Sequence, residues 1–349
     1  MPRDIKTVVV CEAQVPFIRG GAEALSRELV REFRERGYET ELISIPFKWY
    51  PKDEVLPHAA MWRLLDLSES TGRPIDLLVG TKFPTYFARH PRKVTWLVHQ
   101  HRAAYELVDT PYSDFGHTEY DVALRDRLIA LDTEMLGECR GRFSISATIS
   151  KRLQRYNGLE SVPLYHPPRL AARLHGGPAT DYVLSVGRLE GVKRVDLAIR
   201  AMLHTSPSLS LLIAGTGTHA AALKSLAESL GLGTRVRFLG EVSNEDVLEL
   251  YAGALAVVFP PFDEDYGYIT LEAFLAHKPV VTTTDAGGPN EFVTSGVNGW
   301  VTAPDPQALA DAISRLDADR TKSARMGDEG YDLARAISWS SVIDRLTSA

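Results

Sequence analysis

Two carboxylates eight residues apart, Glu264 and Glu272, bracket a turn that leaves an apolar strand and opens a helix. The strand is the unbroken run Leu255-Ala256-Val257-Val258-Phe259, typical of a parallel sheet covered on both faces, and Pro260-Pro261 stops it. Open α/β sheets bind ligands at the carboxyl edge of their strands, where the unpaired amides of a helix N-terminus favour anions. With Thr270 at or near that N-terminus, the stretch Asp265-Tyr266-Gly267-Tyr268-Ile269-Thr270-Leu271 offers a seat for a diphosphate. Glu272, read as a first-turn residue, can then accept hydrogen bonds from ribose hydroxyls, and Glu264 from hexose hydroxyls. Neither role needs an altered pKa. Taken singly these residues say less, because a first-turn acid complements the helix dipole and Asp263-Glu264-Asp265 alone reads as a solvated acidic loop.

A second constellation supplies the opposite charge. Val186-Gly187-Arg188-Leu189-Glu190-Gly191-Val192-Lys193-Arg194 leaves another strand and opens another helix, so Arg188 and Lys193 can reach the same kind of edge. The arginine fork and the compact ammonium suit phosphate oxygens and would stabilise the charge that grows on a departing nucleoside diphosphate, a task otherwise given to a metal ion. Arg194, beside them, has a less definite role. Near the N-terminus, Phe17-Ile18-Arg19-Gly20-Gly21-Ala22-Glu23-Ala24-Leu25 follows the first strand, and its paired glycines let backbone approach a ligand, or simply make a turn. Val94-Thr95-Trp96-Leu97-Val98 runs into His99-Gln100-His101-Arg102. No nearby acid or cysteine completes a metal set there, so a hydrogen-bonding role is expected, with His99 favoured as closer to the strand end.

These motifs need elements to carry them. At 349 residues the length predicts two domains. The 44% hydrophobic and 24% charged content is that of a soluble globular chain, and no run of eighteen apolar residues is present. Met1-Pro2-Arg3-Asp4 leads straight into Thr7-Val8-Val9-Val10-Cys11 without the apolar core of a signal peptide, so a cytoplasmic location is expected. Cys11 and Cys139 lie far apart and read as buried free thiols. The net charge of −6 argues against general nucleic-acid binding. Residues 1–168 hold 23 basic and 23 acidic side chains, leaving 16 basic and 22 acidic in the remainder, so the negative balance falls in the second half.

Apolar segments at 6–10, 40–45, 75–79, 93–98, 143–147 and 162–165, separated by helical patterns near 22–36, 54–66, 118–138 and 149–157, predict a mostly parallel sheet. A second series has strands near 182–186, 209–213, 235–239, 255–259, 279–283 and 299–302, again with helices between them. Between the two series, Tyr165-His166-Pro167-Pro168-Arg169 and Gly176-Gly177-Pro178 mark a linker. Helical patterns near 306–316 and 321–335 precede Ile337-Ser338-Trp339-Ser340-Ser341-Val342-Ile343. Phe47-Lys48-Trp49-Tyr50 and Trp62 read equally as exposed or as core, which leaves peripheral contact with the inner face of a membrane open.

The spacing from Glu264 to Glu272, with Lys278-Pro279-Val280-Val281 after it, resembles the E-x7-E element of the retaining GT-B glycosyltransferases of glycosyltransferase family 4 (group 1). Arg188 and Lys193 resemble that family's cationic pair, Gly20-Gly21-Ala22-Glu23 its glycine loop facing the donor phosphates, and His99 or His101 its site histidine. Further matches are Leu211-Leu212-Ile213-Ala214-Gly215-Thr216-Gly217, the base-binding strand Val236-Arg237-Phe238-Leu239-Gly240 and the cleft loop Asp285-Ala286-Gly287-Gly288-Pro289-Asn290-Glu291. The resemblance implies an α/β chain of GT-B fold, two Rossmann-like domains facing each other across a cleft. Residues 1–168 would bind the acceptor and 169–335 the nucleotide sugar, while 336–349 would form a terminal helix crossing back to the first domain.

It further implies metal-independent transfer of a hexose, with retained configuration and no cofactor, from a nucleoside-diphosphate sugar to a hydroxyl of a glycan, lipid-linked or small-molecule acceptor. Arg188, Lys193, Glu264 and His99 would be catalytic. Gly20, Gly21, Gly187, Phe238, Glu272 and the stretch from Asp265 to Leu271 would bind substrate. Asp265 stands where the family often has glycine and Tyr268 where it has an apolar residue, so the sugar stays open, as do base and acceptor. Rival readings are a nucleotide-sugar epimerase of the same fold, a metal-binding D-x-D at Asp263-Glu264-Asp265, which two separate strand and helix series argue against, and a non-catalytic sugar-binding subunit.

Overall fold

The computed structural model describes residues 5–17 and 20–349, and its chain separates into two compact units, Met1–His166 with Ser338–Ala349, and Pro167–Ile337. In unit 1 the strands are β1 (Thr7–Gln14), β2 (Glu39–Pro46), β5 (Leu77–Gly80), β6 (Lys93–Leu97), β7 (Gly141–Ser144) and β8 (Val162–Pro163), with a small hairpin β3 (Glu69–Ser70) and β4 (Arg73–Pro74) outside the main sheet. The six pair in parallel in the order β2-β1-β5-β6-β7-β8. The helices are α1 (Gly21–Glu35), α2 (Val55–Leu64), α3 (Glu119–Gly137), α4 (Ala147–Asn157) and the terminal α11 (Trp339–Thr347), which the chain reaches after the whole of unit 2.

Parallel strands buried on both faces need apolar side chains at successive positions. β1 supplies them in Val8, Val9, Val10 and Cys11, and β5 in Leu77, Leu78 and Val79, all buried. α1 turns Leu25, Leu29 and Phe33 inward, the 3.6-residue period of an amphipathic helix. Its outer face carries Arg31, paired with Glu28, Glu32 and Glu35. α11 belongs to unit 1, where Trp339 meets Trp96 and His166 ring to ring at 5.8 and 5.4 Å. Trp62 is core, whereas Tyr50 is exposed.

Unit 2 repeats the theme with β9 (Tyr182–Val186), β10 (Ser210–Ala214), β11 (Val236–Gly240), β12 (Ala256–Val258), β13 (Val280–Thr283) and β14 (Gly299–Thr302), all parallel, in the order β11-β10-β9-β12-β13-β14. Strand order reverses between β9 and β12, the switch point at which doubly wound sheets open a crevice beyond their carboxyl ends. Around the sheet lie α5 (Val195–Ala201), α6 (Ala220–Ser229), α7 (Asn244–Gly253), α8 (Tyr268–Leu275), α9 (Pro306–Ala318) and α10 (Arg320–Ala334). Ser243 and Asp305 cap α7 and α9 by accepting from the amides of Asp246 and Ala308. Among the described residues no helix is long and apolar enough to cross a membrane.

Candidate functional site at the carboxyl edge of unit 2

The strand ends at the switch point are stripped of side-chain bulk. Gly187 follows β9 and Gly215 follows β10, both at positive φ, +131° and +133°. Their backbones touch so closely that a Cβ on Gly215 would lie 2.0 Å from the Gly187 carbonyl oxygen, so only glycine fits. Beyond this floor the chain runs through Arg188, which is exposed, with no hydrogen bond or ion pair to its guanidinium among the described residues. A short 3-10 turn, Gly191–Lys193, then presents Lys193, whose ammonium is ion-paired with Glu264. Sequence spacing alone placed Lys193 at a helix start; the structure puts it at the end of this 3-10 turn, two residues ahead of α5. Phe238 on β11 is half-buried, with the Lys224 ammonium 5.9 Å from its ring centroid.

The loop bearing Glu264 is stapled by its backbone. Asp263 and Glu264 donate their amides to the Asp285 and Ala286 carbonyls at 2.9 and 2.8 Å, and Gly288 returns one to Glu264 at 2.7 Å. Gly287 permits this at φ +75°, since a Cβ there would lie 2.6 Å from the Glu264 carbonyl oxygen. Arg194 draws the surrounding segments together, donating to the Pro260 and Pro261 carbonyls at 2.9 and 2.7 Å and to the Asp285 carboxylate at 2.6 and 2.8 Å. Its role was illegible in the sequence because the partners stand 66 to 91 positions away.

α8 begins earlier than expected. Gly267, at φ +87°, is the N-cap and Tyr268 the first helical residue, so Glu272 sits in the second turn rather than the first. Its partner is a residue that sequence reasoning missed, Tyr251 of α7, whose buried hydroxyl donates to the Glu272 carboxylate at 2.7 Å. Although its proposed role needs no altered pKa, burial pushes Glu272 up to about 7, against the opposing pull of the Tyr251 hydrogen bond and the Arg169 charge. Of the expected binding stretch, Tyr266, Gly267, Thr270 and Leu271 are buried, and Leu271 is fully enclosed. Thr270 and Leu271 have no exposed surface, backbone included. Asp265, Tyr268 and Ile269 keep accessible surface, and the Thr270 hydroxyl is buried without a partner.

In unit 1, Gly20 is the N-cap of α1 and Gly21 its first residue, while Ile18 and Arg19 lie outside the described residues. The Gly20 amide donates to Glu23 at 2.9 Å, and Glu23 pairs with the Lys82 ammonium at 2.6 Å in a buried contact. Burial, the largest single influence, would raise Glu23, yet the Lys82 charge together with the hydrogen bonds from Lys82 and from the Glu23 and Gly20 amides outweighs it, and its pKa is lowered. The two histidines after β6 differ. His99 is half-buried, with Nδ1 2.7 Å from the Gln100 carbonyl oxygen. His101 is packed against Phe47, Phe83 and Phe115 at 5.7 to 6.3 Å, and burial lowers it to about 4, so it is neutral at physiological pH.

Comparison with known proteins bears on the family and the fold. Residues 177–333 match the family model Glycosyl transferases group 1. An uncharacterized glycosyltransferase of Methanocaldococcus jannaschii is 36% identical over 140 residues, which is 39% of this chain and 36% of that protein. D-inositol 3-phosphate glycosyltransferase of Nocardia farcinica is 29% identical over 239 residues, 64% of this chain and 52% of the relative. The chain thus spans from about a third to half of the length of these curated relatives. Among solved structures, sucrose-phosphate synthase from Thermosynechococcus elongatus superposes with a TM-score of 0.75 at 18% identity, covering 98% of both chains. HepE from Anabaena, solved in complex with UDP and glucose, gives 0.72 at 18% identity over 98% of this chain and 100% of its own. The chain is built of two Rossmann-like units with the GT-B fold, and nearly all of the second matches the group 1 glycosyl transferase model.

Proposed function

We propose that the chain is a retaining glycosyltransferase that moves a hexose from a nucleoside diphosphate to a hydroxyl of a glycan, lipid-linked or small-molecule acceptor, with no metal and no cofactor. The observation that carries this reading is the juxtaposition of Lys193 and Glu264 in one ion pair beside the glycine floor, with Arg188 unengaged on the same loop. An anion arriving there gains Lys193 and Arg188 as donors, and Glu264, displaced from the lysine, turns to sugar hydroxyls. The acceptor oxygen bonds to the anomeric carbon as the carbon–oxygen bond to the diphosphate breaks. The proton passes to the departing diphosphate on the same face, so configuration is kept and no side-chain base is required. Arg188 and Lys193 neutralise the leaving charge, the part a metal would otherwise take. Glu272, oriented by Tyr251, accepts from the ribose.

Uridine is the first base to test, because HepE is described in complex with UDP and with UDP-glucose. A thermal-shift panel of uridine, guanosine, adenosine and thymidine diphosphates and their sugars tests the donor class. A ligand at a hundred times its dissociation constant stabilises by about 2.7 kcal/mol. One base should stand out, and the absence of any shift at millimolar ligand would overturn the reading. Incubation of the bound donor without acceptor separates transfer from epimerisation, which would yield an isomerised nucleotide sugar.

A further inference from the structure

Unit 2 holds a cavity of about 710 Å3, away from the edge just described. Its wall includes Leu255 and Pro279, just before β12 and β13, so it lies at the opposite, amino-terminal end of the sheet, closed by the start of α10. Lys278 lines it. That lysine is buried at 4% exposure, donates to the Gly177 carbonyl at 2.7 Å and has no carboxylate partner among the described residues. Loss of water lowers its pKa to about 8, so most of the ammonium charge persists at neutral pH. Arg325, on α10, also lines the cavity and has no ion pair among the described residues. Arg320, also on the wall, is already compensated by Asp317 and Asp181 at 2.6 and 2.7 Å, and His277 Nδ1 lies 2.7 Å from the Asp328 carboxylate. Ser323, also on the wall, has a buried hydroxyl without a hydrogen-bond partner.

An uncompensated buried ammonium and an orphaned hydroxyl both cost free energy, and one small anion would satisfy them together. We propose that this cavity binds a phosphorylated small molecule, the phosphate accepting from Lys278, Arg325 and Ser323. The volume lies within the range of small-molecule sites and exceeds what a phosphate group alone fills, so an organic portion accompanies it.

The site is tested by calorimetric titration of the full chain with inorganic phosphate at fixed ionic strength in chloride. Arg188→Ala serves as the control that weakens anion binding at the other edge, where Lys193 remains. The cavity should take one saturable phosphate per chain with the same affinity in the wild type and in Arg188→Ala, whatever the other edge adds in the wild type. Lys278→Met and Arg325→Gln should each weaken it by about 10- to 100-fold, as for a hydrogen bond to a charged group, and Ser323→Ala by about 2- to 10-fold. If Lys278→Met does not fold, the exposed Arg325→Gln and the small Ser323→Ala still decide the matter. No saturable binding, or binding lost in Arg188→Ala and indifferent to Arg325→Gln and Ser323→Ala, would overturn the proposal without touching the donor site.

Discussion

At the carboxyl edge of unit 2, Arg188 is exposed and the paired Lys193 and Glu264 retain 17% and 20% of their side-chain surface. In unit 1 the corresponding charged pair, Lys82 and Glu23, is reduced to 9% and 8% and also fixes the Gly20 amide through Glu23. The partly buried Lys193 and Glu264 keep some of their water and can trade one partner for a ligand at smaller cost. The buried pair has given up its water, and removing either partner strands the other. Charge in unit 2 is therefore available for chemistry, whereas in unit 1 it holds a loop in place.

Substitution at the two pairs should separate these roles. Lys82→Met should destabilise the folded chain by about 3 to 5 kcal/mol at neutral pH, the usual result of leaving one buried charge alone. Because Glu23 is lowered in the folded state, the wild-type advantage should be present above the unfolded pKa of 4.5 and shrink as pH falls below it. Urea melts at pH 7 and pH 4 would show it. A loss below about 1 kcal/mol would make the Lys82 pair as dispensable as a surface contact. Arg188→Ala should do the reverse: unchanged melts, with turnover lowered about 100- to 1,000-fold and donor affinity less affected, as for one preorganised electrostatic donor. Arg188→Lys should recover only part of the rate, since an ammonium lacks the two-pronged fork.

Glu272 stands between the two cases, partly accessible yet with its carboxyl raised to about 7. A carboxyl raised on folding costs stability above its unfolded pKa, and the cost grows until the folded pKa is passed. Glu272→Gln should therefore be more stable than wild type at pH 8, by up to about 3 kcal/mol, and the two should converge below about pH 4.5. Its affinity for the diphosphate should be lower, and the wild-type affinity relative to the variant should rise from pH 6 to pH 8 as the carboxylate forms. Calorimetry at the two pH values measures both trends, and a wild-type to variant affinity ratio that ignores pH would deny Glu272 a ligand role.

The same contrast explains what could be read from the sequence. The strands of both sheets were legible because parallel pairing leaves long apolar runs, as at Val8–Cys11 and Ala256–Val258. The Glu264 to Glu272 spacing was legible because both residues belong to one strand, loop and helix. Tyr251 was not, for it reaches Glu272 from another helix and looks in sequence like any buried aromatic. Nor was the Lys82 partner of Glu23, 59 residues away. The start of α8 was misplaced because Gly267 can cap a helix at positive φ without the Ser, Thr or Asp that usually announces one.

The central claim is that unit 2 cleaves a nucleotide sugar with retention and without metal. Proton NMR of the sugar released by slow hydrolysis of the bound donor, recorded in excess chelator before mutarotation, reads both points at once with water as the acceptor. The account predicts that the sugar first appears in the donor's own anomeric configuration and that the rate is unchanged by the chelator. Release of the opposite anomer, or hydrolysis abolished by chelator and restored by magnesium or manganese, would contradict it.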